Sequence, residues 1–178
     1  ACAVLTSEPL VATGEFQEHL HEGGVQGAQA ARVEVDTHTG RIRVLDMVCV
    51  QNQGIPLSRM TLASQIRGGM VQAVSYALNE ERVFDPDLGL MLTADMENYK
   101  IAGVAELPRF VAIIDEDDER QAVMGMAEAT VIPGHAAIAN AVFNATGVRL
   151  RSTPFTPDKV LAGLAALGPT EARTGGGR

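Results

Sequence analysis

Tryptophan is absent from this 178-residue chain, and aromatic residues make up only 4% of it. Close packing must therefore rest on Ala, Val, Leu, Ile and Met. Positive charge is scarce too: 14 Lys and Arg stand against 22 Asp and Glu, a net charge of −8. No basic stripe with interleaved aromatics exists, which argues against nucleic acid or an anionic membrane surface as the main partner. The two cysteines, Cys2 and Cys49, are far apart in sequence and form no CxxC. A disulfide framework, a structural zinc site and an iron–sulfur cluster within this chain are thereby unsupported. A reducing, cytoplasmic setting is expected, with the periplasm as the alternative. No apolar run approaches the roughly 20 residues of a membrane helix. Residues Ala1 to Glu8 lack the basic and apolar regions of a signal peptide. The chain begins with Ala rather than Met, so a processed or excised piece of a longer protein is expected.

What is present is ordinary for a globular domain: 46% hydrophobic and 20% charged residues, with 18 glycines. One core is expected over 1–167, followed by a flexible tail over 168–178. Ala31 to Asp36 alternates apolar and charged residues, as a half-buried strand does. A turn at Asp36-Thr37-His38-Thr39-Gly40 leads to a second strand over Ile42 to Val50, which Gln51-Asn52-Gln53-Gly54-Ile55-Pro56 breaks. Thr61 to Glu81 reads as a helix, with Ile66, Met70, Ala73 and Ala77 forming one apolar stripe. Asp85 to Gly89 is a turn between short extended pieces, and Phe110 to Ile114 is a strand. A second helix runs from Pro133 to Thr146, with Gly147 where a C-cap glycine belongs. Thr156-Pro157-Asp158 opens a third through Leu167. The expected order is ββαββαα, a mixed α/β (α+β) domain.

Glu128 is the only Asp, Glu, Lys or Arg between Arg120 and Arg149. A carboxylate buried among small apolar neighbours has its pKa pushed upward, towards the range of a base acting near neutral pH. The alternative is a glutamate on an exposed turn before a helix. In the first helix, Gln65, Gly69 and Gln72 share a face, and the pair Gly68-Gly69 costs about 1 kcal/mol per glycine against alanine. Two amides flanking a glycine gap suit a flat heterocycle approaching the backbone. A helix crossing at the glycines explains them equally well. His19 and His21 could supply two metal ligands, although no further His lies at convincing spacing. Gly23 to Ala28 is glycine-rich but precedes a strand, so it is no dinucleotide fingerprint, and an anion-binding nest is the weaker possibility.

Five blocks in order give a further signal. Val33-Glu34-Val35-Asp36 with Thr39-Gly40 is similar to an "EVEVD-x-x-TG" hairpin, and Gln65 to Gln72 to a "GQIQGGVVQG" helix. Glu97-Asn98-Tyr99-Lys100-Ile101 is similar to "DYKIP", and Gly125 to Glu128 to "GVGEP". Ala137 to Ala141 with Thr146-Gly147-Val148-Arg149 is similar to "AIANAI…TGVR". From about Thr13 to Leu167 the chain thus resembles the C-terminal part of the molybdopterin-binding subunit of the xanthine dehydrogenase and aldehyde oxidase family. The resemblance implies hydroxylation of an aldehyde or N-heterocycle carbon with oxygen from water, Glu128 serving as general base towards a molybdenum-bound hydroxyl. It also implies a molybdenum–molybdopterin cofactor, in its cytosine dinucleotide form, contacted by Gln72 and by Gly68, Gly69, Gln65 and Gly125. The implied partners are the remainder of the molybdopterin-binding subunit, an iron–sulfur subunit and an FAD subunit. Departures are Ala127 and Ala129 in place of glycine and proline around Glu128, Met124 where lysine is common, Ala73 for glycine, and Gln51-Asn52-Gln53-Gly54 for His-Asp-x-Gly. The extra methyl groups beside Glu128 would narrow the pocket, which bears on substrate size rather than on the base itself. A reading from another class is a scaffold or interaction domain that keeps the fold without the chemistry.

Overall fold

A computed structural model of the chain describes residues 11–15, 24–117, 119 and 122–171. Strands β1 (Gln26–Val35) and β2 (Ile42–Asn52) form an antiparallel hairpin, and β3 (Arg109–Ile114) adds to β2 in parallel. The order β1-β2-β3 makes β2 the central strand. Helix α1 (Arg59–Leu78) is part of the crossover between β2 and β3, as a parallel pair requires. Helices α2 (Gly134–Thr146) and α3 (Pro157–Glu171) complete the fold.

The hairpin turn forms as its sequence dictates. The Asp36 carboxylate accepts from the His38 and Thr39 amides at 2.8 and 3.2 Å, and Gly40 takes a positive φ of 76°. A register shift between Arg32 and Val33 marks a bulge. On its far side from the turn, Ala31, Gln29 and Gly27 lie opposite Met47, Cys49 and Gln51.

α1 starts two residues before the expected Thr61 because the Ser58 side chain caps it, accepting from the Thr61 amide at 3.4 Å. It stops at Leu78 rather than Glu81, the Asn79 and Glu80 amides both turning back to the Ser75 carbonyl. The expected stripe is the buried one: Ile66, Met70, Ala73 and Ala77 are fully enclosed. They meet Met47 and Cys49 from β2 and Ile138 and Val142 from α2 in one core. Gly147 closes α2 in the left-handed conformation, its amide donating to the Phe143 carbonyl at 2.7 Å. α3 is interrupted at Gly168 (φ 74°, ψ 176°), just after the Leu167 end expected from sequence.

Two expectations are corrected. The order among the described residues is ββαβαα, one strand fewer than expected. The turn at Asp85 to Gly89 is present, but its flanks meet only in a single bridge, Phe84 with Met91. Phe84, Leu88, Leu90 and Leu92 are all at least half exposed, so no apolar face holds a second hairpin together. The second correction is that Gln51-Asn52 continues β2 rather than breaking it. At the other end of the hairpin, β1 begins at Gln26, so Gln26, Gly27 and Ala28 of the glycine-rich stretch considered for a nest are strand.

Candidate functional site around the Glu128 turn

Residues 122–133 are too rich in small residues, and too short of a repeating pattern, to build a full element. They make one turn of 3-10 helix over Ala127–Thr130, in which the Val131 and Ile132 amides donate to the Glu128 carbonyl at 2.8 and 3.1 Å. Such a turn carries few bonds of its own, and its neighbours hold it. Upstream, Gly54 beyond the β2 end bridges to Val123, and the Ile55 amide donates to the Ala122 carbonyl at 2.8 Å. In the turn itself, Thr130 is buried and lies directly on α1 at Gly69. A Cβ on Gly69 would stand 2.7 Å from the Thr130 carbonyl oxygen and closer still to its hydroxyl oxygen. The Gln29 side-chain amide of β1 donates to the Thr130 carbonyl. Downstream, the Tyr76 hydroxyl of α1 donates to the Val131 carbonyl at 3.1 Å and lies 2.9 Å from His135 Nδ1. Burial pushes the Tyr76 phenol up from its ordinary value, with the His135 contact acting the other way.

This arrangement decides the place of each expected residue. Glu128 is exposed, so the enclosure by apolar neighbours expected from the sequence is not supplied by the described residues. Residues near it turn inward instead: Thr130 and Ala122 are buried, and Met126 packs against the core. Gln65, Gly68, Gln72 and Gly125 are exposed, and Gly68 and Gly125 have open space where a side chain would be. Gly69 differs: its missing side chain makes room for Thr130, so at this glycine the helix-crossing explanation holds. At helical spacing Gln65 and Gln72 flank Gly69 on one face of α1. The Gly69–Thr130 contact therefore lays the Glu128 turn on the face that carries both glutamines.

Sequence reasoning missed three glutamines. Met47, Cys49 and Gln51 on the inner face of β2, and Gln53 just past its end, are all buried. Gln51 Oε1, both amide atoms of Gln53 and Gln29 Oε1 are enclosed without a hydrogen-bond partner among the described residues. A buried amide group left unpaired costs about 1–3 kcal/mol, so such a cluster calls for an explanation. The signal in the sequence is the period-2 alternation continuing from Met47 through Gln53. Amide groups of this kind suit a polar group held by uncharged donors and acceptors.

Other features lie apart from this region. One cavity of about 810 Å³ is lined by Arg41, Arg43, Arg109 and Glu106 together with Val74 and Phe155. Another of about 400 Å³ contains Tyr76, His135, Asn140, Arg149 and Arg151. Neither includes Glu128, Gln65 or Gln72. On the sheet, Arg109 and Arg32 hold the Asp46 carboxyl below its usual range. The candidate metal ligands His19 and His21 lie outside the described residues, as does Gly23. Among the described residues no group of three or more His, Cys, Asp or Glu could hold a metal ion.

Comparison with known proteins identifies the family. Residues 1–108 match the family model of a molybdopterin cofactor-binding domain. The chain is 35% identical over 161 residues to the aldehyde oxidoreductase molybdenum-binding subunit PaoC of Escherichia coli (strain K12), covering 88% of this chain and 22% of that protein. It is 32% identical over 142 residues to the probable hypoxanthine oxidase XdhD of the same organism, covering 78% of this chain and 15% of that protein. Among solved structures, quinoline 2-oxidoreductase from Pseudomonas putida 86 superposes with a TM-score of 0.70 at 29% identity, over 77% of this chain and 18% of that one. Aldehyde oxidoreductase from Desulfovibrio gigas gives 0.69 at 27% identity, over 79% and 15%. The chain thus spans about a fifth or less of the length of these relatives. These matches place the chain in the molybdopterin cofactor-binding domain family, found in the molybdenum-binding subunits of xanthine- and aldehyde-type oxidoreductases.

Proposed function

We propose that this chain is the part of a molybdenum hydroxylase that carries the general base, Glu128, and one wall of the cofactor site. The observation that carries the reading is the crossing at Gly69. It brings the turn that carries Glu128 against α1 at the residue between Gln65 and Gln72, which supports a site shared by the three side chains.

The cofactor in this reading is molybdopterin with molybdenum, in the cytosine dinucleotide form. When bound, it supplies the Lewis acid and the two-electron acceptor for oxidising an aldehyde or N-heterocycle carbon with oxygen from water. The chain's own residues do the rest. Gln65 and Gln72 offer amide donors and acceptors to the edge of a flat ring, and Gly68 and Gly125 let it approach the backbone. Gln53 and Gln51 hold buried amide groups that a polar ligand edge would satisfy. Gly69 acts at one remove, through Thr130. Glu128 takes the proton at its carboxylate oxygen. Among the described residues Glu128 is exposed, and enclosure by the remainder of the molybdopterin-binding subunit would exclude water from it. Iron–sulfur and FAD subunits carry electrons onward, in a cytoplasmic setting. No helix among the described residues is long and apolar enough to cross a membrane.

The test is Glu128→Gln in the complete, cofactor-loaded assembly, with substrate-dependent reduction of the molybdenum centre followed by stopped flow. Loss of a general base predicts a fall of about 10²–10⁴ in that rate with cofactor content unchanged. Reduction near the wild-type rate removes Glu128 from the mechanism.

A further inference from the structure

We propose that Gln29 is a positioning residue for this chemistry: its side-chain amide latches the Thr130 carbonyl and so fixes the turn that presents Glu128. The proposal rests on the reading of Glu128 as the base, but its geometry stands independently. Gln29 and Thr130 are separated by 101 positions in sequence, and their hydrogen bond joins β1 to the turn directly. The same amide nitrogen lies 3.7 Å from the Cys49 sulfur, which fixes the side chain against the core face of β2. The other end of the amide points to the start of α2, where a Cβ on Gly134 would stand 2.7 Å from Gln29 Oε1. The glutamine therefore fills the space between the sheet, the turn and the first residue of α2.

Gly54 and Ile55, just past β2, hold the segment upstream at Val123 and Ala122, so Thr130 itself depends on contacts from α1 and β1. Gly69 bears on Thr130 from the side of α1, and Tyr76 holds Val131 one residue later. Both belong to α1. The Gln29 amide is what ties Thr130 to the sheet, and without it the turn can tilt about α1. A four-residue 3-10 turn has too few bonds of its own to resist that tilt. Glu128 lies two residues before Thr130, so a tilt there moves the carboxylate. A misplacement of about 1 Å can cost about 10²-fold in rate where a reacting group must be aligned.

Gln29→Met matches the length and volume of the side chain but donates no hydrogen bond. Gln29→Asn keeps the amide and is one methylene too short to reach. Both are placed in the complete cofactor-loaded assembly beside wild type and Glu128→Gln. Hydrogen exchange of the Val131 and Ile132 amides, which bond to the Glu128 carbonyl, reports the turn without reference to turnover. Both Gln29 variants are expected to exchange there about threefold to tenfold faster, as the loss of one hydrogen bond implies. They are also expected to lower kcat by about tenfold or more with KM within about twofold. Unchanged exchange in Gln29→Met shows a filler rather than a latch and overturns the proposal. Faster exchange with unchanged molybdenum reduction, while Glu128→Gln abolishes reduction, overturns the positioning role. If Glu128→Gln leaves reduction intact, the base reading fails, and exchange alone still decides whether Gln29 holds the turn.

Discussion

Gly68 and Gly69 are neighbours in the middle of one helix, yet alanine at the two positions should shift stability in opposite directions. Both substitutions gain about 1 kcal/mol of helix propensity. At Gly68 the new methyl meets open space, so that gain is kept. At Gly69 it would lie 2.7 and 2.8 Å from the carbonyl oxygen and Cβ of Thr130, and nearer still to the hydroxyl oxygen. One of those atoms is backbone, and Thr130 is buried, so no side-chain rotation relieves the overlap. Overpacking of this kind costs about 1–3 kcal/mol. Displacing Thr130 also weakens its bond to Gln29, at about 1 kcal/mol more. The propensity term is common to both and cancels, leaving Gly69→Ala less stable than Gly68→Ala by about 2–4 kcal/mol. The measurement is thermal unfolding of the cofactor-free molybdenum-binding subunit, the two variants run side by side with wild type. A shift of the same sign and size in both would refute the close approach of the turn to α1.

Gln53→Met replaces a buried amide that has no partner among the described residues by an apolar side chain of similar size. The cofactor-free protein should be as stable as wild type or more so by about 1 kcal/mol, while molybdenum content after loading falls. Lower stability with normal metal content would contradict the assignment. Asp46→Asn removes the negative charge of the Arg32 and Arg109 ion pairs while keeping a side-chain oxygen. The folded-state pKa of Asp46 lies below its ordinary value of 3.8, so its contribution is present above that pH and is lost as pH falls through the lower, folded value. Wild type should therefore exceed the variant in urea stability at pH 7, and the gap should narrow as pH falls below 3.8 through the lower, folded value. A gap independent of pH would show that the charge is not the cause.

The parts of this fold that are legible in the sequence are those fixed by neighbours along the chain. The hairpin turn is set by Asp36 and Gly40, the buried stripe of α1 by a repeat every three or four residues, and the end of α2 by Gly147. The strand expected near Phe84 does not form, because an extended, apolar stretch needs a face to bury, and the sequence does not show whether one exists. Gln51 and Gln53 have the composition of a strand break, standing as they do beside Gly54 and Pro56. Their burial depends on the alternation inherited from Met47, a weaker cue than composition. The candidate site divides in the same way. Glu128 stands out by charge alone, and the α1 glutamines by spacing. Its exposure, the use of Gly69 by Thr130 and the latch from Gln29 depend on residues far apart in the chain, about which single-sequence periodicity carries no information.

The anchoring of the Glu128 turn also sets an order of assembly. Its side-chain hydrogen bonds close loops of 101 residues to Gln29 and 55 residues to Tyr76. Contacts of such range are entropically costly to form first and gain most when the elements at their far ends are already in place. The hairpin, with its short loop, and α1, with its local ladder, can form early; the turn can settle only on a finished sheet and helix. The residue proposed to do the chemistry is thus among the last to be positioned as the chain folds, and among the first to be released when any of its distant supports loosens.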